Sequence, residues 1–242
     1  SDDEVKRGSK LLTKLWNASK YVLMNLSDFD PASAPQIPVS DRFIEDRWVL
    51  SELNKAVAET RKHLDKYDNY NSRSAIDTFF WDIFCDQYLE FIKDRFWAPE
   101  KYSNESKLSA QWTLYTVLRA IIGLYAPFIP FLTEELWQKI YRDTEGGETL
   151  HLTKYPTVNP EYDTDVATME IALELLKNIR GLRTERKVGN GAKLETLTIP
   201  SDTPAVLHGL IKSAARANEI QLGDALDFVV AISNPGGVNH GR

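Results

Sequence analysis

The residue types that most often perform catalysis occur in this chain, but their spacing does not build a catalytic group. Glu134 and Glu135 are adjacent, so on a helix they point about 100° apart and do not form an acid/base pair. Gly189-Asn190-Gly191 lacks the spacing of a phosphate-binding loop and indicates a turn. Cys85 lies in an aromatic segment, which favours a buried, unreactive thiol. The sequence therefore predicts no catalytic residues.

Metal sites and membrane segments are not predicted either. One cysteine and four scattered histidines do not give the ligand spacing of a zinc site. A single cysteine excludes an intrachain disulfide and suggests a reducing, cytoplasmic setting. The chain has no run of 18 apolar residues, and its acidic N-terminus does not resemble a signal peptide. We expect a binding or structural module without a metal.

Positive charge is concentrated in two segments of an otherwise acidic chain. The 242 residues carry a net charge of −6. Residues 4–22 nevertheless hold five lysines and arginines against one glutamate, and residues 177–193 hold six against one. Clustered cations are typical of surfaces that contact phosphates, although solvated helix faces are the ordinary alternative.

The first basic segment is an amphipathic helix, predicted over residues 3–26. Its leucines and valines share one arc, with Trp16 at the edge, while the opposite arc is basic and carries an amide and a phenol. That polar arc supplies five candidate binding residues: Lys10, Lys14, Asn17, Lys20 and Tyr21.

The elements that position these residues form a mainly α fold, a helix bundle followed by a small α/β appendage. We predict bundle helices over residues 41–67, 72–97, 107–125 and 131–141, with Trp48 and Trp81 in the core. Beyond them we predict helices over 163–187 and 204–217 and strands over 194–199, 219–222 and 228–232. The predicted domains are a helix-bundle domain over 1–150 and an α/β subdomain over 151–242.

Four motifs in order resemble a known family. They are KLWNASK at 14–20, DRWVLS at 46–51, APFIPFLTEELW at 126–137 and HLTKYP at 151–156. The chain resembles the C-terminal anticodon-binding region of class I aminoacyl-tRNA synthetases of the valine, isoleucine and leucine group. The segment FFWDIFCDQYLE at 79–90 is most similar to valyl-tRNA synthetases. Trp97 is more typical of the sister enzymes, so the isoleucyl and leucyl members remain alternatives.

The resemblance implies a function for the parent enzyme and for this chain. The parent joins valine to its tRNA with ATP and Mg²⁺. The signature motifs that hold ATP in this class, and the editing domain, are not found in this sequence. The resemblance thus implies a non-catalytic module without a cofactor. Its partners are the tRNA anticodon stem-loop and the missing catalytic domain.

Six more candidate contacts complete the predicted tRNA-binding set. By analogy with related synthetases, the end of the third helix faces the anticodon, which adds Arg95 and Trp97. The helix before the appendage contributes four cations on one side: Lys177, Arg180, Arg183 and Lys187. Arg186 falls on the apolar side, so either the helix ends before it or it is paired. Two alternatives from other classes are a helical protein–protein scaffold and an enzyme with an unrecognised site.

Overall fold

A computed structural model describes residues 2–232, apart from the side chain of Glu4. The described chain divides between Val166 and Ala167 into two compact units. In the first unit, seven α-helices follow one another: α1 (Asp2–Asn25), α2 (Ile44–Leu64), α3 (Asn69–Thr78), α4 (Leu89–Trp97), α5 (Asn104–Tyr125), α6 (Pro130–Ile140) and α7 (Arg142–Glu145). The predicted helical bundle is confirmed.

A π-helical segment, Phe79–Tyr88, joins α3 to α4 without a break. The prediction of one long helix over 72–97 is therefore right about continuity but missed the wider turns. Phe80, Phe84 and Tyr88 are fully buried, and their rings stack in line at centroid distances of 6.4 and 6.1 Å. Because π-helical turns are rare and concentrate at functional sites, the exposed side of this segment is a candidate functional surface.

The core of the first unit lies among α2, the π-helical segment, α5 and α6. Large side chains from each element are fully buried: Leu50, Phe80, Phe84, Tyr88, Leu114, Tyr125 and Trp137. Polar atoms of buried rings find partners, as buried donors require. The hydroxyl of Tyr125 donates to Asp77 Oδ1 at 2.6 Å, and the hydroxyl of Tyr141 donates to the Tyr115 carbonyl at 2.7 Å.

The segment 149–162 belongs to the bundle. The hydroxyl of Tyr155 donates to the Leu124 carbonyl at 2.9 Å, and Arg61 Nη1 donates to the Pro156 carbonyl at 2.9 Å. Asn54 and Asn159 exchange two hydrogen bonds of 2.7 and 3.0 Å. These contacts explain why the unit boundary lies after Val166 and not at residue 150, where the change in sequence pattern had placed it.

The second unit contains two helices and a three-stranded sheet. Its elements are α8 (Met169–Glu185), β1 (Leu194–Pro200), α9 (His208–Ala214), β2 (Ala217–Gly223) and β3 (Asp227–Val230). The strand order is β2-β1-β3, with β2 parallel and β3 antiparallel to β1, so the predicted α/β appendage is confirmed. Three side chains of β1 are fully buried: Leu194, Leu197 and Ile199.

Both helices of this unit are shorter than predicted. Met169 begins α8 six residues after the predicted start, because residues 163–166 have no regular structure and residues 167–168 form a turn. A 3₁₀ turn, Ala205–Leu207, stands before α9. Both alternatives predicted for Arg186 are confirmed. The helix α8 ends before it, at Glu185, and Arg186 Nη1 pairs with Asp227 Oδ1 at 2.7 Å.

Candidate nucleic-acid interface

The polar side of α1 is accessible along its length. Leu11, Leu15 and Val22 are buried against the bundle, which turns the opposite arc outward. Lys10, Asn17 and Lys20 are exposed, and Lys14 and Tyr21 are partly exposed. Among the side chains that the structure describes, no carboxylate forms an ion pair with Lys10, Lys14 or Lys20. Their positive charge is therefore available to an outside anion.

Trp81, which was predicted to be a core residue, is partly exposed. It lies on the π-helical segment facing α1, where Lys14 Nζ stands 5.3 Å from its ring centroid. Trp48, by contrast, is buried as predicted. The prediction for Trp81 was wrong because the π-helical turns change which residues face inward, and helical periodicity assumes α-helical turns.

Tyr21 of α1 and Trp97 at the end of α4 lie together at one end of the bundle. Burial raises the pKa of the Tyr21 hydroxyl, and hydrogen bonds from the side chains of Asn25 and Trp97 oppose that rise. The effect on this pKa places the Trp97 side chain close to the Tyr21 hydroxyl. Trp97 is 65% exposed. The fold thus joins two predicted contacts into one aromatic pair at the surface.

Arg95 is buried, since it is 2% exposed and does not reach the surface. Its Nη1 donates to Asp46 Oδ2 at 2.7 Å and to the Ser106 carbonyl at 3.1 Å, and its Nη2 contacts Glu45. The prediction that Arg95 touches tRNA is wrong, because these bonds occupy the guanidinium inside the protein. Arg95 instead ties the last turn of α4 to α2 and α5.

This buried cluster places two carboxylates beside one guanidinium. Burial lowers the pKa of Arg95, but the charges of Asp46 and Glu45 outweigh it and raise the pKa above its ordinary value. Burial raises the pKa of Glu45, which Arg95 only partly offsets. The hydroxyls of Tyr88 and Ser109 donate to Asp46 at 2.7 and 2.6 Å. Asp46 is thereby satisfied by three side chains in a low-dielectric site.

The four candidate cations at the end of α8 separate into two groups. Lys177, Arg180 and Lys187 are exposed, and Lys187 lies two residues beyond the end of α8 with a φ of 57°. Arg183 is only 3% exposed, and it donates to the carbonyls of Gly189, Ala192 and Ala215 at 2.8 to 3.0 Å. The prediction that Arg183 contacts tRNA is therefore wrong, since its donors hold together the loops of its own unit.

Cys85, the one cysteine of the sequence, is buried in the first unit. Burial raises the pKa of Cys85 to about 12, so its thiol stays protonated at neutral pH. Residues 2–232 contain no cluster of three or more histidine, cysteine, aspartate or glutamate side chains that could hold a metal ion. In the same residues, no helix is both long and apolar enough to cross a membrane.

Sequence reasoning missed two accessible side chains near α1. Tyr70 and Arg73 of α3 line a groove beside Arg7 and Lys10. They are three residues apart, which places them on one side of α3. This spacing is the sequence pattern that could have identified them. Helix faces are readable from sequence, but which two helices flank a groove is not.

A family model for the anticodon-binding domain of tRNA ligase matches residues 46–198. That match covers more than half of the sequence, and the chain belongs to this family. The class of protein is thus the anticodon-binding domain of tRNA ligases.

Among individual proteins, the chain is similar to bacterial valine–tRNA ligases. That of Synechocystis sp. is 35% identical over 202 residues, which cover 81% of this chain and 22% of the relative. That of Fusobacterium nucleatum is 32% identical over 234 residues, covering 94% and 26%. That of Thermotoga maritima is 37% identical over 177 residues, covering 73% and 19%. The chain spans about a quarter or less of the length of these relatives.

A solved structure also aligns with most of the chain. It is a ternary complex of LeuRS, tRNA and LeuAMS from Agrobacterium radiobacter, which covers 96% of this chain and 26% of its own. The sequence identity is 15% and the TM-score 0.46, so the two backbones agree only loosely.

Proposed function

We propose that this chain is the module of a valine–tRNA ligase that binds the anticodon stem-loop of its tRNA. The observation that carries the proposal is the basic side of α1 together with the partly exposed Tyr21 and the exposed Trp97, the Tyr21–Trp97 pair. Membership of the anticodon-binding family and similarity to valine–tRNA ligases support it. The pattern at residues 79–90 favours the valine member over its isoleucine and leucine counterparts.

RNA sequence is read mainly where bases are unpaired and can be splayed out. The exposed indole of Trp97 offers such a base a flat stacking surface, and the Tyr21 hydroxyl can accept or donate a hydrogen bond beside it. The Asn17 amide provides a donor and an acceptor for base edges. Lys10, Lys14 and Lys20 supply charge to phosphates without reading sequence. Together these residues can combine positioning with base recognition.

For the whole protein we propose ligation of valine to tRNA with ATP and Mg²⁺, in the cytoplasm. Neither ATP nor Mg²⁺ is assigned to a residue of this chain. The catalytic domain of the parent is the proposed protein partner. The module contributes affinity and anticodon selection, which are binding terms that act before the chemical step.

A fluorescence-anisotropy titration of the chain tests the proposal. The ligands are a valine tRNA, the same tRNA with its anticodon exchanged, and an isoleucine tRNA, each at low and moderate salt. We expect tightest binding to the valine tRNA and loss of that preference when the anticodon is exchanged.

Other outcomes discriminate among the alternatives. Preference for the isoleucine tRNA would transfer the module to that sister enzyme. Equal binding to all three, with a steep salt dependence, would leave phosphate contact alone and contradict anticodon reading. Binding of a protein partner with no affinity for RNA would favour the helical scaffold.

A further inference from the structure

A second accessible site lies on the bundle at a distance from the Tyr21–Trp97 pair. A groove of about 420 Å³ separates the N-terminal half of α1 from α3. Arg7 and Lys10 line it from α1, Tyr70 and Arg73 line it from α3, and Trp81 lines it from the π-helical segment. We call it the α1–α3 groove.

The α1–α3 groove is strongly positive. Arg7, Lys10 and Arg73 line it, and Lys14 stands over the Trp81 ring. Among the described side chains of the lining, the single carboxylate is Asp77, which accepts a 2.6 Å hydrogen bond from the buried Tyr125 hydroxyl and lies 3.7 Å from Arg73 Nε. Four cations against one engaged carboxylate leave an excess of positive charge, which in a concave site attracts anions.

The groove on the other side of α3 has the opposite character. It encloses about 410 Å³, and its charged lining includes Glu52 and Glu59 together with Lys55, whose Nζ pairs with Glu52 at 2.8 Å. Two grooves of similar volume therefore flank one helix, and among the side chains that the structure describes, only the α1–α3 groove has cations without a carboxylate partner. The positive charge of the α1–α3 groove is thus a local feature of the fold, not a property of the whole chain, whose net charge is −6.

The groove also contains donors suited to phosphate. Tyr70 is 82% exposed, so its hydroxyl is free to donate to an anion. Arg73 adds a planar fork of N–H donors, which matches phosphate oxygens. Lysine, arginine and tyrosine donors on phosphates position a nucleic acid without reading bases. The chemistry of this groove therefore fits a sugar–phosphate backbone.

We propose that the α1–α3 groove binds the phosphate backbone of the RNA stem next to the anticodon loop. This deepens the proposed function and rests on it. Lys10 and Tyr21 are eleven residues apart on α1, or roughly 16 Å along the helix axis, so one folded RNA can reach both. The stem then supplies affinity at the groove, and the loop supplies selection at the Tyr21–Trp97 pair.

The test compares the 242-residue chain with the double variant Lys10→Ala/Arg73→Ala. The probes are a hairpin RNA with the valine anticodon, the same hairpin with its anticodon exchanged, and the loop sequence as an unpaired strand. Dissociation constants are measured by anisotropy between about 50 and 200 mM salt. The matched control is Lys55→Ala in the opposite groove, and Lys10→Arg/Arg73→Lys keeps the charge.

We expect the double variant to bind both hairpins about 10-fold more weakly at low salt. The salt slope, which is the slope of the logarithm of the binding constant against the logarithm of the salt concentration, should become less steep by about 1.5. The unpaired strand should lose much less. Lys55→Ala should match the wild type, and the charge-conserving variant should restore most of the affinity. Because all these side chains are accessible, circular dichroism should show unchanged helix content.

An unchanged affinity and salt slope in the double variant would overturn this inference and leave a protein segment as the occupant of the groove. An equal loss for hairpin and unpaired strand would also overturn it, since the stem would not be the ligand. The proposed function fails separately, if the wild type does not distinguish the two hairpins. A flattened slope in that case would keep the groove as an RNA site.

Discussion

Arg95 and Trp97 show at the scale of single residues how neighbours in sequence acquire different roles. Both stand in the last turn of α4, and both were candidates for RNA contact. Residues two apart on a helix point about 200° from each other, so they do not face the same surroundings. Arg95 faces Asp46 inside the bundle, whereas Trp97 faces solvent beside Tyr21. Arg95 is thus an anchor for the turn that presents Trp97.

Replacing Trp97 by alanine tests the aromatic pair. We expect Trp97→Ala to lose about 1–3 kcal/mol of binding to the cognate hairpin, the usual contribution of one stacked base, and most of the anticodon preference. The salt slope should stay the same, because no phosphate contact is removed. Anisotropy titrations measure both quantities. Trp97→Phe, which keeps an aromatic face, is the control, and equal losses in the two variants would contradict stacking.

The buried carboxylates predict a pH effect on stability. Burial raises the pKa of Glu45 above its ordinary value of 4.5, so the folded protein holds this proton more tightly than the unfolded chain. The corresponding stabilisation is complete below pH 4.5 and is lost as the pH rises through the raised value. Glu45→Gln mimics the protonated form. We expect its advantage in the free energy of unfolding over the wild type to grow from acid to neutral pH.

Urea unfolding followed by tryptophan fluorescence at a series of pH values measures this difference. Glu135→Gln, which removes one partner of the exposed Lys139–Glu135 pair, is the control and should change stability by less than about 1 kcal/mol. Parallel curves for Glu45→Gln and the wild type would refute the elevated pKa.

At the scale of elements, α5 shows how packing can require a glycine within a helix. Gly123 lies in the last turn of α5, where alanine has the higher helix propensity. A Cβ at this position would stand 2.8 Å from Cγ of Pro156 and 3.1 Å from Arg119 Nη1. The segment 149–162 therefore packs directly on the backbone of α5. Close packing at this contact decides the residue type, not helix propensity.

Gly123→Ala should destabilise the first unit by about 1–3 kcal/mol, because overpacking outweighs the gain in helix propensity. Gly8→Ala in α1 is the matched control. A Cβ at Gly8 meets nothing within 4 Å, so this change should stabilise by up to about 1 kcal/mol. Urea midpoints measure both. Stabilisation by Gly123→Ala would show that the segment gives way more easily than its contacts indicate.

At the scale of the whole molecule, the chain has two units, and both proposed RNA-binding sites belong to the first. All six tryptophans precede residue 167, so tryptophan fluorescence reports on the first unit alone. The Tyr21–Trp97 pair and the α1–α3 groove both belong to that unit. In the second unit, Arg183 joins three loop carbonyls and stands 5.8 Å from the Phe228 ring. Its role is to hold that unit together.

Arg183→Met therefore tests the independence of the two units. Removing the guanidinium leaves buried carbonyls without donors, at a cost of roughly 1–3 kcal/mol, so the second unit should unfold at lower urea. Far-ultraviolet circular dichroism should show this loss while the fluorescence transition of the first unit keeps its midpoint. The control, Arg180→Ala, changes an exposed cation and should leave both transitions unaltered. A shift of the fluorescence midpoint would contradict independent units.

The sequence by itself determined the helices of the bundle, the two sides of α1, the α/β character of the second unit and the family. These follow from local periodicity, turn residues and short motifs, which the chain carries wherever it folds. Only the tertiary structure decided that Arg95 and Arg183 are buried, because their partners come from distant residues such as Asp46 and Ala215. The tertiary structure likewise paired Tyr21 with Trp97 and opened the groove beside α3. Periodicity fixes which way a side chain leaves its helix, but the packing of other elements fixes what it meets there.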